Sequence, residues 1–420
     1  MSLGLPFRAL WTSSASSNLA DGVAFISMPL LAASLTDDPR LVAGLATTYA
    51  LVRLLVALPI GVWVDRVDRR TLLIGANLIR GLVVIGLAIF VHLELATLPL
   101  LYAVLAVVGT LESAADNASV SLLPGVVPVE QLDRANGRIS AAQLVADEFA
   151  GPPLGGLLFA VAAAVPLYLM GGLWAAAGLL ALALPMRGIG VRGIGVRGIG
   201  VRGIGVRGLG VESGSALIRR QPAVREAMQG ARWLAGNRTV GGLALIGALA
   251  SVGYMLPFSI LVLFAAERLH LDGLGYGVIL AVSALGGLVG SFATPRATGR
   301  IGYRGTIVGS LITGAVSLLA LSISTSGAIA AALLAVYILH AVVWGICATS
   351  LRQRLVPDDL RGRVNAASHV LSLLGLALGS ALGGLLAVVS LPLSIAVGGG
   401  VFVCCAVLAA IIIPNEGEHD

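Results

Sequence analysis

The 420-residue chain is 57% hydrophobic and only 11% charged, and its mean hydropathy is +0.97. Soluble domains carry about 25% charged residues, so this composition excludes a soluble globule and predicts an integral membrane protein. Arginine supplies all 27 basic residues, and the formal net charge is +6.

Apolar segments of about 20 residues, the length that crosses the hydrocarbon core as a helix, recur along the whole chain. The first contains Ser16, Ser17 and Asn18 and lacks the compact apolar core of a secretory signal, so we interpret it as a retained membrane helix. The sequence predicts an all-α membrane protein with twelve transmembrane helices. The predicted spans lie near 8–35, 41–63, 71–92, 98–122, 139–164, 166–186, 240–265, 276–293, 305–325, 327–350, 365–389 and 391–413.

Charged residues inside membrane helices are costly and usually functional. They concentrate in the first six predicted spans, whereas the last six offer only His340 and His369. We therefore expect proton or substrate coupling in the first half, and one hypothesis places Asp21 beside Arg53 as a proton switch. A permanent ion pair that fixes helix packing is the alternative. The coupling candidates are Asp21, Arg53, Arg80, Glu112, Asp116, Asp147 and Glu148.

A dense group of charges follows the second span. The segment 61–70 reads Gly-Val-Trp-Val-Asp-Arg-Val-Asp-Arg-Arg, and 299–304 is a weaker copy after the eighth span. Asp65 at a helix end can interact with the positive dipole end of a neighbouring helix, and Gly61 permits close approach. Such a contact would be a latch on one conformation, although basic residues there also follow from topology alone. The candidate gating residues are Gly61, Asp65, Arg66, Arg69 and Arg70, with Arg300 and Arg304 in the copy.

The fifth span contains the run Gly151-Pro152-Pro153-Leu154-Gly155-Gly156. Proline removes backbone hydrogen bonds, and glycine lets a neighbouring helix approach closely. The run predicts a kinked helix in tight contact with a neighbour, either for packing alone or with a role in coupling.

The two halves of the chain echo each other at a nearly constant offset. The paired segments are 128–136 with 357–365, which adds Arg363 and Asn365 to the candidates, and 154–158 with 382–386, both Leu-Gly-Gly-Leu-Leu. Two related six-helix units predict a binding site between them near the bilayer midplane.

A low-complexity segment separates these units. Arg-Gly-Ile-Gly-Val repeats from Arg187, and its glycines and sparse apolar residues favour a flexible linker over a core. A basic segment held at anionic lipid is the alternative. Residues 215–235 are amphipathic, as in a helix lying on the membrane face. We predict a first half at 1–186, a cytoplasmic linker at 187–238, and a second half with a short tail at 239–420.

Most arginines flank the loops after even-numbered spans, so the positive-inside rule places both termini in the cytoplasm of a bacterial cell membrane. The net charge then reflects topology and lipid contact rather than nucleic-acid binding. The three cysteines have no metal-site spacing, and we expect no metal and no cofactor. A chain without lysine cannot carry the nucleotide-binding motif Gly-x-x-x-x-Gly-Lys-Ser/Thr.

The segment 61–70 resembles the signature loop of the major facilitator superfamily of secondary transporters. The run 151–156 is similar to the core of that superfamily's antiporter motif, with Asp147 where the family pattern has glycine. The resemblance implies that Asp65 faces the start of the eleventh span. Asp21-Gly22, 123–136 and 353–365 look like the branch that includes enterobactin-type siderophore exporters and macrolide efflux proteins. An arginine expected in the fourth span is replaced by Gly109.

These features predict a monomeric, proton-coupled exporter of a small amphipathic molecule such as a drug, siderophore or other secondary metabolite. Its partners would be the substrate, protons and membrane lipid. A proton-symport importer is the first alternative. A membrane-embedded sensor or enzyme is the second, but the short loops and five scattered histidines offer neither a signalling domain nor a catalytic constellation.

Overall fold

The computed structural model describes residues 3–185, 223–357 and 360–414, without the side chains of 57–66, 129, 133, 148 and 223–228. The described chain is helical throughout, apart from short turns. The Arg-Gly-Ile-Gly-Val repeats lie outside the described residues. The α-helices are α1 Gly4–Leu35, α2 Pro39–Arg66, α3 Arg69–His92, α4 Leu98–Val126, α5 Leu132–Gln143, α6 Gly151–Val161, α7 Ala164–Ala181, α8 Ala223–Gly236, α9 Arg238–Phe258, α10 Leu261–Glu267, α11 Gly273–Ile323, α12 Gly327–Leu355, α13 Arg361–Val389 and α14 Leu391–Ile412.

Eleven helical segments are long and apolar enough to cross a membrane, and one of them, α11, makes two crossings. Its 51 residues would extend about 75 Å if straight, more than twice the thickness of a hydrocarbon core. The helix instead turns back at Gly302, whose φ of 70° and ψ of 175° are open essentially only to glycine. The twelve predicted spans are therefore confirmed.

The fifth span changes its winding just before the proline pair. A π-helical turn at Leu144–Ala150 separates α5 from α6, and the Gly151 N–H donates to the carbonyl of Ala146, five residues earlier. Pro152 and Pro153 have no N–H, and in a regular α-helix their rings would clash with the preceding turn. The wider turn accommodates them and carries Asp147 in its first turn.

The repeated Leu-Gly-Gly-Leu-Leu segments occupy equivalent places in the two halves. The first glycine of each pair packs within its own half. Gly155 packs against α1 at the carbonyl of Val23, and Gly383 packs against α9 at the carbonyl of Leu256. The second glycines face the opposite half of the molecule. Gly156 meets α11 at Gly277, and Gly384 meets α2 at Ala43. A side chain at either second glycine would separate the halves.

These contacts join the halves at the end of the bundle remote from the termini, which we call the far end. The Thr47 and Ser380 hydroxyls add a hydrogen bond of 2.9 Å between α2 and α13. At the opposite, terminus-bearing end, the buried apolar side chains fall into two separate clusters. One, around Leu10 and Leu123, belongs to the first half, and the other, around Val364, belongs to α8 and the second half. The described contacts between the halves therefore close the far end more tightly than the terminus-bearing end.

Candidate functional site

A network of charged and polar side chains lies inside the first half, where α1 to α4 and α7 meet. Arg80 on α3 is completely buried and forms an ion pair with Asp21 on α1. Its guanidinium also stacks on the Trp174 ring at 4.2 Å and donates to the Ser17 hydroxyl at 3.3 Å. Trp174 and Ser17 therefore fix the position of this buried charge.

The structure corrects the hypothesis that Asp21 pairs with Arg53. Counting residues at about 1.5 Å each gives the depth of a side chain along its helix, but not the direction in which it points. Asp21 and Arg80 face each other across α1 and α3, whereas Arg53 on α2 points towards α4. Arg80, which the sequence placed among the candidates without a partner, is the partner of Asp21.

Glu112 on α4 connects the two arginines. One carboxylate oxygen accepts hydrogen bonds from Arg53 Nη1 at 2.7 Å and from the Tyr49 hydroxyl at 2.6 Å. The other lies 3.7 Å from Arg80 Nη2. Tyr49 was not among the predicted residues, although its position one helical turn before Arg53 was a usable signal. Glu112 thus pairs with Arg53 and lies close enough to neutralise Arg80 when Arg80 is not paired with Asp21.

The remaining carboxylates lie around this network. Asp116 follows Glu112 by one helical turn and is exposed. Asp147 is half-buried in the π-helical turn, and its backbone crosses α1 so closely that a Cβ on Gly22 would lie 2.8 Å from the Asp147 Cα. The side chain of Glu148 lies outside the described residues. The network with Asp116 contains three carboxylates and two arginines, so one carboxylate is in excess.

The first gating segment is only partly described, because the side chains of Gly61, Asp65 and Arg66 lie outside the described residues. Arg69 and Arg70 both contact helix ends of their own half. Arg69 donates to the carbonyl of Ser121 at 3.2 Å, and Arg70 donates to that of Leu182 at 2.6 Å. The bond from Arg70 complements the negative dipole end of α7.

The second-half copy reproduces one of these bonds. Arg304, the counterpart of Arg70, donates to the carbonyl of Ala410 near the end of α14 at 2.5 Å. Arg300 lines a groove together with Arg304 and Ala410. Arg363 lies at the start of α13, where its backbone packs against Gly230 of α8, and Asn365 is exposed. The amphipathic helix α8 therefore packs against the start of α13, the segment that the resemblance implies as the partner of Asp65.

Comparison with known protein families identifies the family of this chain. The sequence model of the Major Facilitator Superfamily matches residues 10–198 and 243–419. The chain belongs to the major facilitator superfamily. It is a multi-pass membrane transporter rather than an enzyme. No curated protein sequence matches it.

Solved structures share the fold over nearly the full chain. A bacterial homologue of the iron transporter ferroportin, in an inward-facing state, is 17% identical, with 97% of this chain and 98% of that chain covered and a TM-score of 0.73. The nucleoside transporter NupG is 12% identical, with coverages of 99% and 100% and a TM-score of 0.69. A bacterial homologue of the human lysosomal transporter Spinster is 15% identical, with coverages of 97% and 94% and a TM-score of 0.66. Their different cargoes leave the substrate open.

Proposed function

We propose that this superfamily member exports a small amphipathic molecule from the bacterial cytoplasm in exchange for protons, as in the siderophore and macrolide efflux branch. The network of Asp21, Arg80, Glu112 and Arg53 carries the proposal. Buried charges in membrane helices are retained chiefly at transport or proton sites. With the neighbouring Asp116 the carboxylates outnumber the arginines by one, so one carboxylate can carry a proton.

The proton would act by changing the partners of Arg80. When Asp21 is ionised, it neutralises the buried guanidinium. When Asp21 is protonated, Glu112 is the nearest remaining counter-charge, at 3.7 Å. Strengthening that contact draws α3 and α4 together and weakens the tie between α1 and α3. Because α1 also contacts α6 through Gly155, the change reaches a helix that joins the two halves.

Everted vesicles loaded with acid test the direction of transport. A panel of growth inhibitors, screened on expressing and non-expressing cells, supplies the substrate. The proposal expects substrate to accumulate in everted vesicles while protons leave, and accumulation to stop when the gradient is collapsed. Uptake driven by inward proton flow into right-side-out vesicles would instead establish the symport alternative.

Two substitutions separate the proton site from the latch. Asp21→Asn cannot exchange a proton, so transport should lose its dependence on the pH gradient while substrate still binds. Asp65→Asn should leave that dependence intact but increase labelling of cysteines at the cytoplasmic mouth. Full proton-driven transport by Asp21→Asn would move the coupling site to Glu112, Asp116, Asp147 or Glu148.

A further inference from the structure

A cavity of about 280 Å³ lies within the second half, among α9, α12, α13 and α14. Its volume is slightly below the usual range of small-molecule sites, about 300–1,000 Å³. One face of α12 forms its longest wall, with Tyr337, His340, Trp344 and Arg352 at helical spacing. None of the charged network of the first half lines it.

Four residues that line this cavity each have a buried polar atom with no hydrogen-bond partner among the described residues. The atoms are Tyr337 Oη, His340 Nδ1, Arg352 Nε and Ser368 Oγ. Tyr337 and His340 are 1% exposed and Ser368 is 4% exposed. Leaving such a group unpaired costs about 1–3 kcal/mol, so a concentration of them in one cavity points to a ligand that pairs with them.

Several aromatic residues that line the cavity contact one another. The ring centroids of Tyr337 and Phe402 lie 5.7 Å apart, and those of His340 and Phe402 lie 4.8 Å apart, both edge to face. Tyr254 stacks on Tyr337 at 6.3 Å. Such rings favour offset or edge-on contact with another aromatic ring. The lining therefore offers a planar apolar ligand group several contact surfaces.

The charge of the lining determines which polar group the ligand can carry. Among the described residues that line the cavity, Arg352 is the only arginine and there is no carboxylate. Arg352 lies in the last turn of α12, and a helical side chain leans back towards the N-terminus, over the cavity. A cation would find no counter-charge here, whereas a carboxylate can accept charge-assisted hydrogen bonds from the guanidinium.

We propose that this cavity binds the aromatic part of the transported molecule, and that this molecule carries an acidic or hydrogen-bond-accepting group rather than a cation. The ring nearest the acceptor packs beside Trp344, the rest of the apolar part extends towards Tyr337 and Phe402, and the acceptor faces Ser368 and Arg352. This inference rests on the proposed transport function and adds to it the chemical class of the substrate.

Binding to the purified full-length chain in lipid nanodiscs tests the proposal. The probes share one skeleton: biphenyl-4-carboxylate, biphenyl-4-carboxamide and biphenyl-4-ylmethylamine, measured by equilibrium dialysis. The acid should bind most tightly and the amine most weakly. Arg352→Gln should weaken the acid about tenfold, as expected for a hydrogen bond to a charged group, and change binding of the amide less than about twofold. Ser368→Ala should weaken both.

Matched variants control for general effects. Arg354→Gln changes an arginine on the same helix that stacks on Tyr303 at 4.9 Å. Ser283→Ala removes a buried hydroxyl that already donates to the carbonyl of Leu280 at 2.7 Å. Neither residue lines the cavity, and both variants should bind the acid normally. Tightest binding of the amine, or equal effects of cavity and control variants, would overturn the proposal.

The outcome is independent of proton coupling, because dialysis uses no gradient. Selective binding without gradient-driven transport would support the cavity assignment and reject the proposed coupling. Gradient-driven transport of molecules that do not respond to the cavity variants would do the reverse.

Discussion

Arg80→Gln should be among the most damaging single substitutions in the first half. The Arg80 side chain is 1% exposed and pairs with Asp21, and the change leaves that carboxylate and part of Glu112 without a counter-charge. Breaking a buried pair costs about 3–5 kcal/mol. Arg53→Gln is the matched control, because Arg53 is 28% exposed and water can take over part of its role. We expect it to cost about 1–3 kcal/mol.

The assay is the free energy of unfolding, measured by sodium dodecyl sulfate titration of the purified protein in mixed micelles. The double variant Arg80→Gln/Asp21→Asn gives a further test, because it removes the stranded carboxylate. It should be more stable than Arg80→Gln alone, with a coupling energy of about 0.5–3 kcal/mol. An Arg80→Gln variant no less stable than Arg53→Gln, with no rescue by Asp21→Asn, would refute the network as described.

Three further predictions test the fold. Gly302→Ala places a side chain at positive φ and should cost about 1–3 kcal/mol, whereas Gly299→Ala, with open space around its Cβ, should not destabilise; both are read by thermal unfolding. Asp68→Ala removes the N-cap of α3 and should cost about 1 kcal/mol. A backbone hydrogen bond from Thr71 lowers the pKa of Asp68, so the charge-dependent part of this stabilisation should be present above about pH 4 and lost as the pH falls further. Gly156→Val should push the halves apart at the far end and increase labelling of a cysteine placed at Ser380 in a cysteine-free background.

The sequence predicted the spans and their duplication because both depend on quantities that can be read along one chain. Apolar length gives a crossing, and a constant offset gives a repeat. The pairing of Asp21 with Arg80 required the rotation of each helix and the identity of its neighbour. The repeated glycines Gly156 and Gly384 were visible as a repeat, but their place between the halves depends on how the two units meet.

The second-half cavity was missed for a different reason. Tyr337, His340 and Ser368 are uncharged or scattered, and singly each resembles an ordinary packing residue of a membrane helix. The missed signal was their spacing: Tyr337, His340, Trp344 and Arg352 follow one face of the tenth span. The carboxylates within the spans all lie in the first half, so charge alone does not indicate a site in the second half.

Charges in one half and a ligand cavity in the other require a mechanical connection if protons are to drive substrate. The contact between α2 and α13 provides one. α2 carries Arg53 of the network and, through Thr47, bonds to Ser380 of α13, whose other end carries Ser368 of the cavity. If both sites act as proposed, both would bias the position of the same helix pair. If protonation changes ligand affinity by some factor, ligand binding must change proton affinity by the same factor, so ligand bound in the second half should move protons in the first.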